Sequence, residues 1–191
     1  MLYCIVDVET TGLDVSKDKM FEIAMVVCDE NLDRKFDIHH RIKVGDDLMA
    51  PNKDNPALKH YDKALWEKDG VTTDIAMTHI AQVLGSGETK VIPVGHNVRF
   101  DLAFIGAACE ACKVRYPFFH VFMDTMSIAA FEAIRRKDPL VVFSLTSITK
   151  KYKVKHKDSH SAVGDVEAVY DLLKFYMGNE AANKPKQGIL L

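Results

Sequence analysis

The stretch from Leu2 to Glu9 constrains this chain most. LYCIV is apolar without interruption, and Asp7 and Glu9 follow at once around Val8. A short run of apolar and β-branched residues reads as a strand buried inside a covered sheet. Side chains alternate along a strand, so Asp7 and Glu9, two apart, share one face. Like charges on one face repel unless something positive lies between them. A solvated strand end is the bland reading; carboxylates paired at the tip of a central strand more naturally hold a divalent cation.

Turn chemistry comes next at Thr10-Thr11-Gly12, then two further strand-like runs, Met20–Cys28 and Lys35–Val44. From Asp46 to Asn55 the chain turns polar, which reads as a surface loop. Helices are expected at Ala57–Lys68 and at Thr73–Leu84, the latter capped by Thr72 or Thr73. A strand at Lys90–Val94 closes on Gly95, and a helix is expected over Phe100–Lys113. A short strand at Val121–Met123 leads to helices at Thr125–Arg135, Ser144–Tyr152 and Ala162–Met177. Strands first, then strands alternating with helices, predict an α/β or α+β layered domain on a mixed sheet.

A chain of 191 residues makes one domain, or one domain with a short tail. At that size it folds without a metal or disulfide staple, so a bound metal would be catalytic rather than structural. With 25 basic and 27 acidic residues it is not a protein that coats nucleic acid by bulk charge. An enzyme gripping a few phosphates is compatible with that balance. Cys109 and Cys112 form a C-x-x-C, but Cys4 and Cys28 lie in apolar runs rather than in a second pair, so the cysteines read as small buried residues. MLYCIVDVE lacks the basic start of a signal peptide, and no stretch approaches the roughly 20 apolar residues of a membrane span. The expectation is a reducing cytoplasm and no membrane.

Asp101 ends VIPVGHNVRFD, where a strand, a glycine turn and a helix start bring an acid to a sheet edge. An Asp in a first helical turn is also simply favourable with the helix dipole. In HSAVGDVEA, His160 precedes Asp165 by five, with Ser159 or Ser161 able to cap the helix. Phosphodiester hydrolysis builds negative charge on the phosphoryl oxygens, which two cations about 3.5–4 Å apart offset. Four carboxylates supply enough oxygens for two hard cations, and a histidine near neutrality suits the deprotonation of the attacking water.

These segments resemble the DEDDh subgroup of DnaQ-like 3′→5′ exonucleases, which includes proofreading subunits, ribonuclease T and oligoribonuclease. DVETTGLD (Asp7–Asp14), GHNVRFDLAF (Gly95–Phe104) and HSAVGDVEA (His160–Ala168) are similar to its three motifs, in order. MDTMSIA and SLTSITKKYKV resemble its linking elements. The resemblance implies an α/β, RNase H-like fold, a five-stranded mixed sheet flanked by helices on both faces, over residues 1–177, with a flexible tail at 178–191. It implies Asp7, Glu9, Asp101 and Asp165 as ligands of two Mg²⁺ (or Mn²⁺), and His160 as general base. Ser161, four before Asp165, excludes the tyrosine variant of the family. Thr10, Gly12 and Leu13 match the turn against the terminal nucleotide, and Asn97 and Phe100 further substrate-side positions; Phe100 could equally be core.

The resemblance implies a 3′→5′ exonuclease on single-stranded nucleic acid ends, with DNA, as in proofreading, as first expectation. RNA trimming and a non-catalytic RNase H-like module are the alternatives. Lys150, Lys151, Lys153, Lys155 and Lys157 either guide phosphates toward the acids or solvate a loop. Gln187–Leu191 faintly resembles peptides that dock on sliding clamps, which would make a clamp or a DNA polymerase a partner; the plainer reading is a free terminus. Trp66 stacks a base or closes the core, and the core is favoured.

Overall fold

The computed structural model describes residues 1–45, 56–85, 89–137 and 142–178. The polar stretch at Asp46–Asn55, the tail after Gly178 and its Gln187–Leu191 end lie outside them. Strands β1 (Leu2–Thr10), β2 (Met20–Cys28) and β3 (Arg34–Arg41) form an antiparallel meander. After a 3₁₀ turn at Pro56–His60 come α1 (Lys63–Asp69) and α2 (Thr73–Gly85). Then β4 (Val91–Gly95) leads into α3 (Val98–Cys112), and β5 (Met123–Asp124) into α4 (Thr125–Arg135), α5 (Leu145–Tyr152) and α6 (Ala162–Tyr176).

The sheet order is β3-β2-β1-β4-β5, with β4 parallel to β1 and β5 parallel to β4. Alternation assigns the faces. Cys4, Val6 and Val8 pack with Met77, Ile80, Phe104 and Ile105 of α2 and α3. Ile5, Ala24 and Val26 pack with Val166, Val169 and Leu172 of α6 and with Ala129 and Ile148 of α4 and α5. Helices thus cover both faces of a mixed five-stranded sheet, as expected.

Several boundaries differ from expectation; β5 is Met123–Asp124 rather than Val121–Met123. The single helix over Ala57–Lys68 is broken, because the Asp62 side chain accepts from Leu65 N and starts a new helix there. Beyond Arg41, β3 continues only as a bridge from Ile42 to Val71, so Lys43 and Val44 lie past the strand although the apolar alternation runs on. Helix α3 starts two residues before Phe100, at Val98. The four cysteines are free, three buried and Cys112 half-buried. Trp66 is buried, donates Nε1–H to the Phe21 carbonyl at 2.8 Å and packs on Phe21 and Tyr61; it closes a core cluster.

Candidate active site

Because β1 and β4 are parallel, they end at one edge of the sheet, where side chains from several elements can converge. Gly95 makes the turn there: a Cβ on it would stand 2.8 Å from Val98 Cγ2 and 3.0 Å from the Val6 carbonyl. Helix α3 then carries Asp101 in its first turn, and α6, capped by Ser161 Oγ on Gly164 N, carries Asp165 in its own. On β1, Asp7 and Glu9 continue the Ile5 face past the apolar contacts with α6. One oxygen each of Asp7, Glu9 and Asp165 lies within 4.8 Å of the others.

Asp101 sits slightly apart. It is 4% exposed, and its Oδ1 accepts the Val8 N–H at 3.0 Å, which ties α3 to β1 between the two strand acids. Burial, and then the charges of Asp101, Asp165, Glu9 and Glu22, hold the Asp7 carboxyl well above the usual range. Burial foremost, then Asp165, Glu22 and Asp101, pushes Glu9 up to about 8. Asp101 is raised to about 8 by burial, with Asp124 and Asp165 adding to it against the two N–H donors it accepts. Oxygens this crowded and this short of cationic partners form a donor set suited to a hard divalent ion, which would relieve the repulsion.

A fifth acid joins them. Glu22 of β2 lies directly opposite Glu9 and is 4% exposed. His39 Nε2 stands 2.8 Å from its Oε1, and its Oε2 accepts Ala162 N, at the start of α6, at 3.3 Å. Sequence reading missed it because Glu22 is a lone acid in the otherwise apolar run Met20–Cys28, and only the register reveals which face it shares.

The histidines divide. His160 is exposed, adopts φ +68, and reaches Asp165 through its backbone N–H, 3.3 Å from Oδ1. The ring on Asp165 belongs to His156, whose Nε2 lies 2.6 Å from the same Oδ1. His156 stands outside all three motifs, and its only signal is that it lies on the loop leading into the helix that carries Asp165. The loop is also held from across the edge, where His60 Nε2–H donates to the Ser159 carbonyl at 3.0 Å. His96 bridges the end of β4 to the Phe143 carbonyl at 2.7 Å and to Thr125 Oγ1 at 3.0 Å.

The turn after β1 is built from within. Thr10 is buried and donates its hydroxyl to the Gly12 carbonyl at 2.7 Å. Asp18 accepts from Asp14 N at 2.9 Å and Thr11 Oγ1 at 3.3 Å; a Cβ on Gly12 would lie 2.4 Å from its carboxylate. Leu13, 86% exposed, is presented outward. Asn97 is exposed in the left-handed region, its N–H held by Asp124 Oδ1, and Phe100 is half-buried against Phe104, which gives it a core contact as well as an outer face. Lys155 and Lys157 line a cavity shared with Asp158, Glu167 and Asp171, so these two lysines have carboxylates close by.

A family model described as Exonuclease matches residues 4–173. The chain belongs to the DnaQ-like 3′→5′ exonuclease family. This exonuclease is 27% identical over 193 residues to ribonuclease T of Histophilus somni, covering 92% of this chain and 82% of that one. It is 30% identical over 191 residues to ribonuclease T of Haemophilus influenzae (strain PittEE), covering 92% and 78%. Its fold matches a zinc-bound E. coli exonuclease I complex with single-stranded DNA at a TM-score of 0.79 and 19% identity, over 94% of this chain and 41% of that chain. A second exonuclease I structure, with a dT13 oligonucleotide, gives 0.74 at 19% identity, over 93% and 42%. The exonuclease thus spans about two fifths of the exonuclease I chains it matches.

Proposed function

We propose that this exonuclease removes nucleotides from the 3′ end of a single-stranded nucleic acid, DNA foremost, with Asp7, Glu9, Asp101 and Asp165 holding two divalent cations, Mg²⁺ or Mn²⁺, and His160 as general base. One observation carries the reading: carboxylate oxygens from β1 and α6 meet within 4.8 Å at the sheet edge. Bound cations supply positive charge against the charge that develops on the phosphoryl oxygens. Leu13 packs on the terminal base, and the Thr10–Leu13 turn lies along the 3′-terminal nucleotide. Asn97 and the outer face of Phe100 line the path of the strand. His160, on the exposed loop before α6, takes the proton of the attacking water.

DNA is favoured by the single-stranded DNA oligonucleotides seen with the structural neighbours. The ribonuclease T relatives favour RNA as the second reading. Either activity suits trimming or proofreading in a reducing cytoplasm, where the four cysteines stay as thiols. The test uses 5′-labelled DNA and RNA of one sequence, single-stranded and duplex. Laddering from the 3′ end should require Mg²⁺ or Mn²⁺, stop with EDTA and be lost in Asp7→Ala while the fold survives. Hydrolysis by folded Asp7→Ala in metal-free buffer would falsify the mechanism.

A further inference from the structure

We infer that His156 is a positioning residue for Asp165, orienting its carboxylate so that one oxygen faces the metal site. His156 lies nine positions before Asp165, in the loop between α5 and α6, and its side chain is only 7% exposed. Its Nε2 is 2.6 Å from Asp165 Oδ1, and its Nδ1 stands 3.5 Å from Thr149 Oγ1 on α5. That hydroxyl is itself anchored, donating to the Leu145 carbonyl at 2.8 Å. The ring is therefore packed between α5 and α6, with Nε2 hydrogen-bonded to Asp165 and Nδ1 in contact with the Thr149 hydroxyl.

An ionised carboxylate only accepts, so the hydrogen lies on Nε2 and points at Oδ1. Oδ1 also receives the His160 N–H at 3.3 Å. Two donors on one oxygen leave Oδ2 as the atom free to join Asp7 and Glu9, and they set the carboxylate's rotation. A histidine fixing a carboxylate ligand is the counterpart of the carboxylates that orient ligating histidines, and loss of such outer partners weakens metal binding by about 10–100-fold. The same oxygen, through the His160 backbone N–H, couples the position of the proposed base to that of the ligand.

This inference rests on the proposed metal site, so its test measures metal and fold separately. Mn²⁺ binding to the metal-free protein is followed by EPR for wild type, Asp165→Asn, His156→Phe and His156→Gln. Phe keeps ring volume without a donor; Gln keeps an N–H near the Nε2 position. The expected result is Mn²⁺ binding about 10–100-fold weaker in His156→Phe and within a few-fold of wild type in His156→Gln. Activity lost by His156→Phe at low Mg²⁺ should return at high Mg²⁺, whereas that lost by His160→Asn should not. In wild type, the imidazole ¹H–¹⁵N signal of His156 should shift on Mg²⁺ addition, a readout that needs no variant. Wild-type Mn²⁺ affinity in folded His156→Phe, equal losses in Phe and Gln, or an unmoved His156 signal would overturn the inference. Absence of saturable Mn²⁺ binding in wild type, or binding untouched by Asp165→Asn, would instead overturn the metal site itself.

Discussion

Glu9 and Glu22 face each other directly across the antiparallel β1–β2 ladder, and both are buried. Like charges directly opposite destabilise a sheet, so the pair opposes folding. Glu22 is compensated by His39 and by the N–H of Ala162. Among the described residues Glu9 has no such partner; it is turned toward Asp7 and Asp165. The strand is built to hold an uncompensated carboxylate at the place where a cation can bind, a local conflict of the kind expected at functional sites.

Glu9→Gln should therefore stabilise the metal-free protein while disabling it. Removing one of the crowded carboxyls, whose ionisation burial and its neighbours oppose, is expected to add roughly 0.5–2 kcal/mol, within the range of single stabilising changes. Losing a ligand for the cation's several kcal/mol of charge stabilisation should cost activity about a hundredfold or more. Thermal melts in EDTA and turnover in Mg²⁺ check both. A lower melting temperature in Glu9→Gln would show that Glu9 is a structural residue.

The raised carboxyls fix the sign of a pH dependence. Glu9 and Asp101 titrate near 8 when folded, against ordinary values of 4.5 and 3.8. Above about pH 4 the unfolded chain has released protons that the folded chain keeps until about 8, so stability falls as pH rises through that window. His40 acts oppositely: burial first, then His79 and His39, lower its value from 6.5, so its effect is a loss of stability as pH falls below 6.5. Between pH 6.5 and 8 the acids act with little opposition. In EDTA the melting temperature should drop over that interval, and Mg²⁺ should stabilise more at pH 8 than at pH 6.5. A metal-free melting temperature that rises toward pH 8 would refute this.

The fold was legible wherever one face decided the matter. Asp7 and Glu9 stand out because they interrupt a run that is otherwise apolar, and strand and helix periods order the rest. Register and loop geometry stay hidden. Glu22 looks like a single acid in an apolar strand until pairing sets it opposite Glu9. His39, in a strand of mixed polarity, gains meaning only from its 2.8 Å contact with Glu22. His156 and His160 are four apart on one loop, and left-handed turns at Asp158 and His160 decide which ring meets Asp165. No periodicity reports a left-handed residue.

Trp66 offers a test of core against substrate contact. At 3% exposed, with its indole N–H on the Phe21 carbonyl, it has no face left for a base. Trp66→Leu should cost about 3 kcal/mol, by lost burial and the lost indole hydrogen bond, while the Phe21 carbonyl keeps the Ile42 N–H at 2.7 Å, with KM for oligonucleotides nearly unchanged. Urea melts and steady-state kinetics separate the two. A large rise in KM at unaltered stability would return Trp66 to the substrate path.

Leu13 is the opposite case. At 86% exposed it contributes almost nothing to the folded state, so Leu13→Ala should change stability by less than about 0.5 kcal/mol. The turn beneath it is held by Thr10, Thr11 and Asp18, none of which contacts the Leu13 side chain through these bonds, so its backbone should stay in place. If Leu13 packs on the terminal base, the apolar area it loses on truncation is worth on the order of 1.5 kcal/mol, or about tenfold in KM. The effect should appear with single-stranded DNA and RNA alike, since a base presents the same apolar face on either sugar, and Mn²⁺ affinity should not move. Melting curves, KM on both oligonucleotides and EPR titration together isolate the contact. Unchanged KM would remove Leu13 from the nucleotide site and leave it an ordinary exposed leucine.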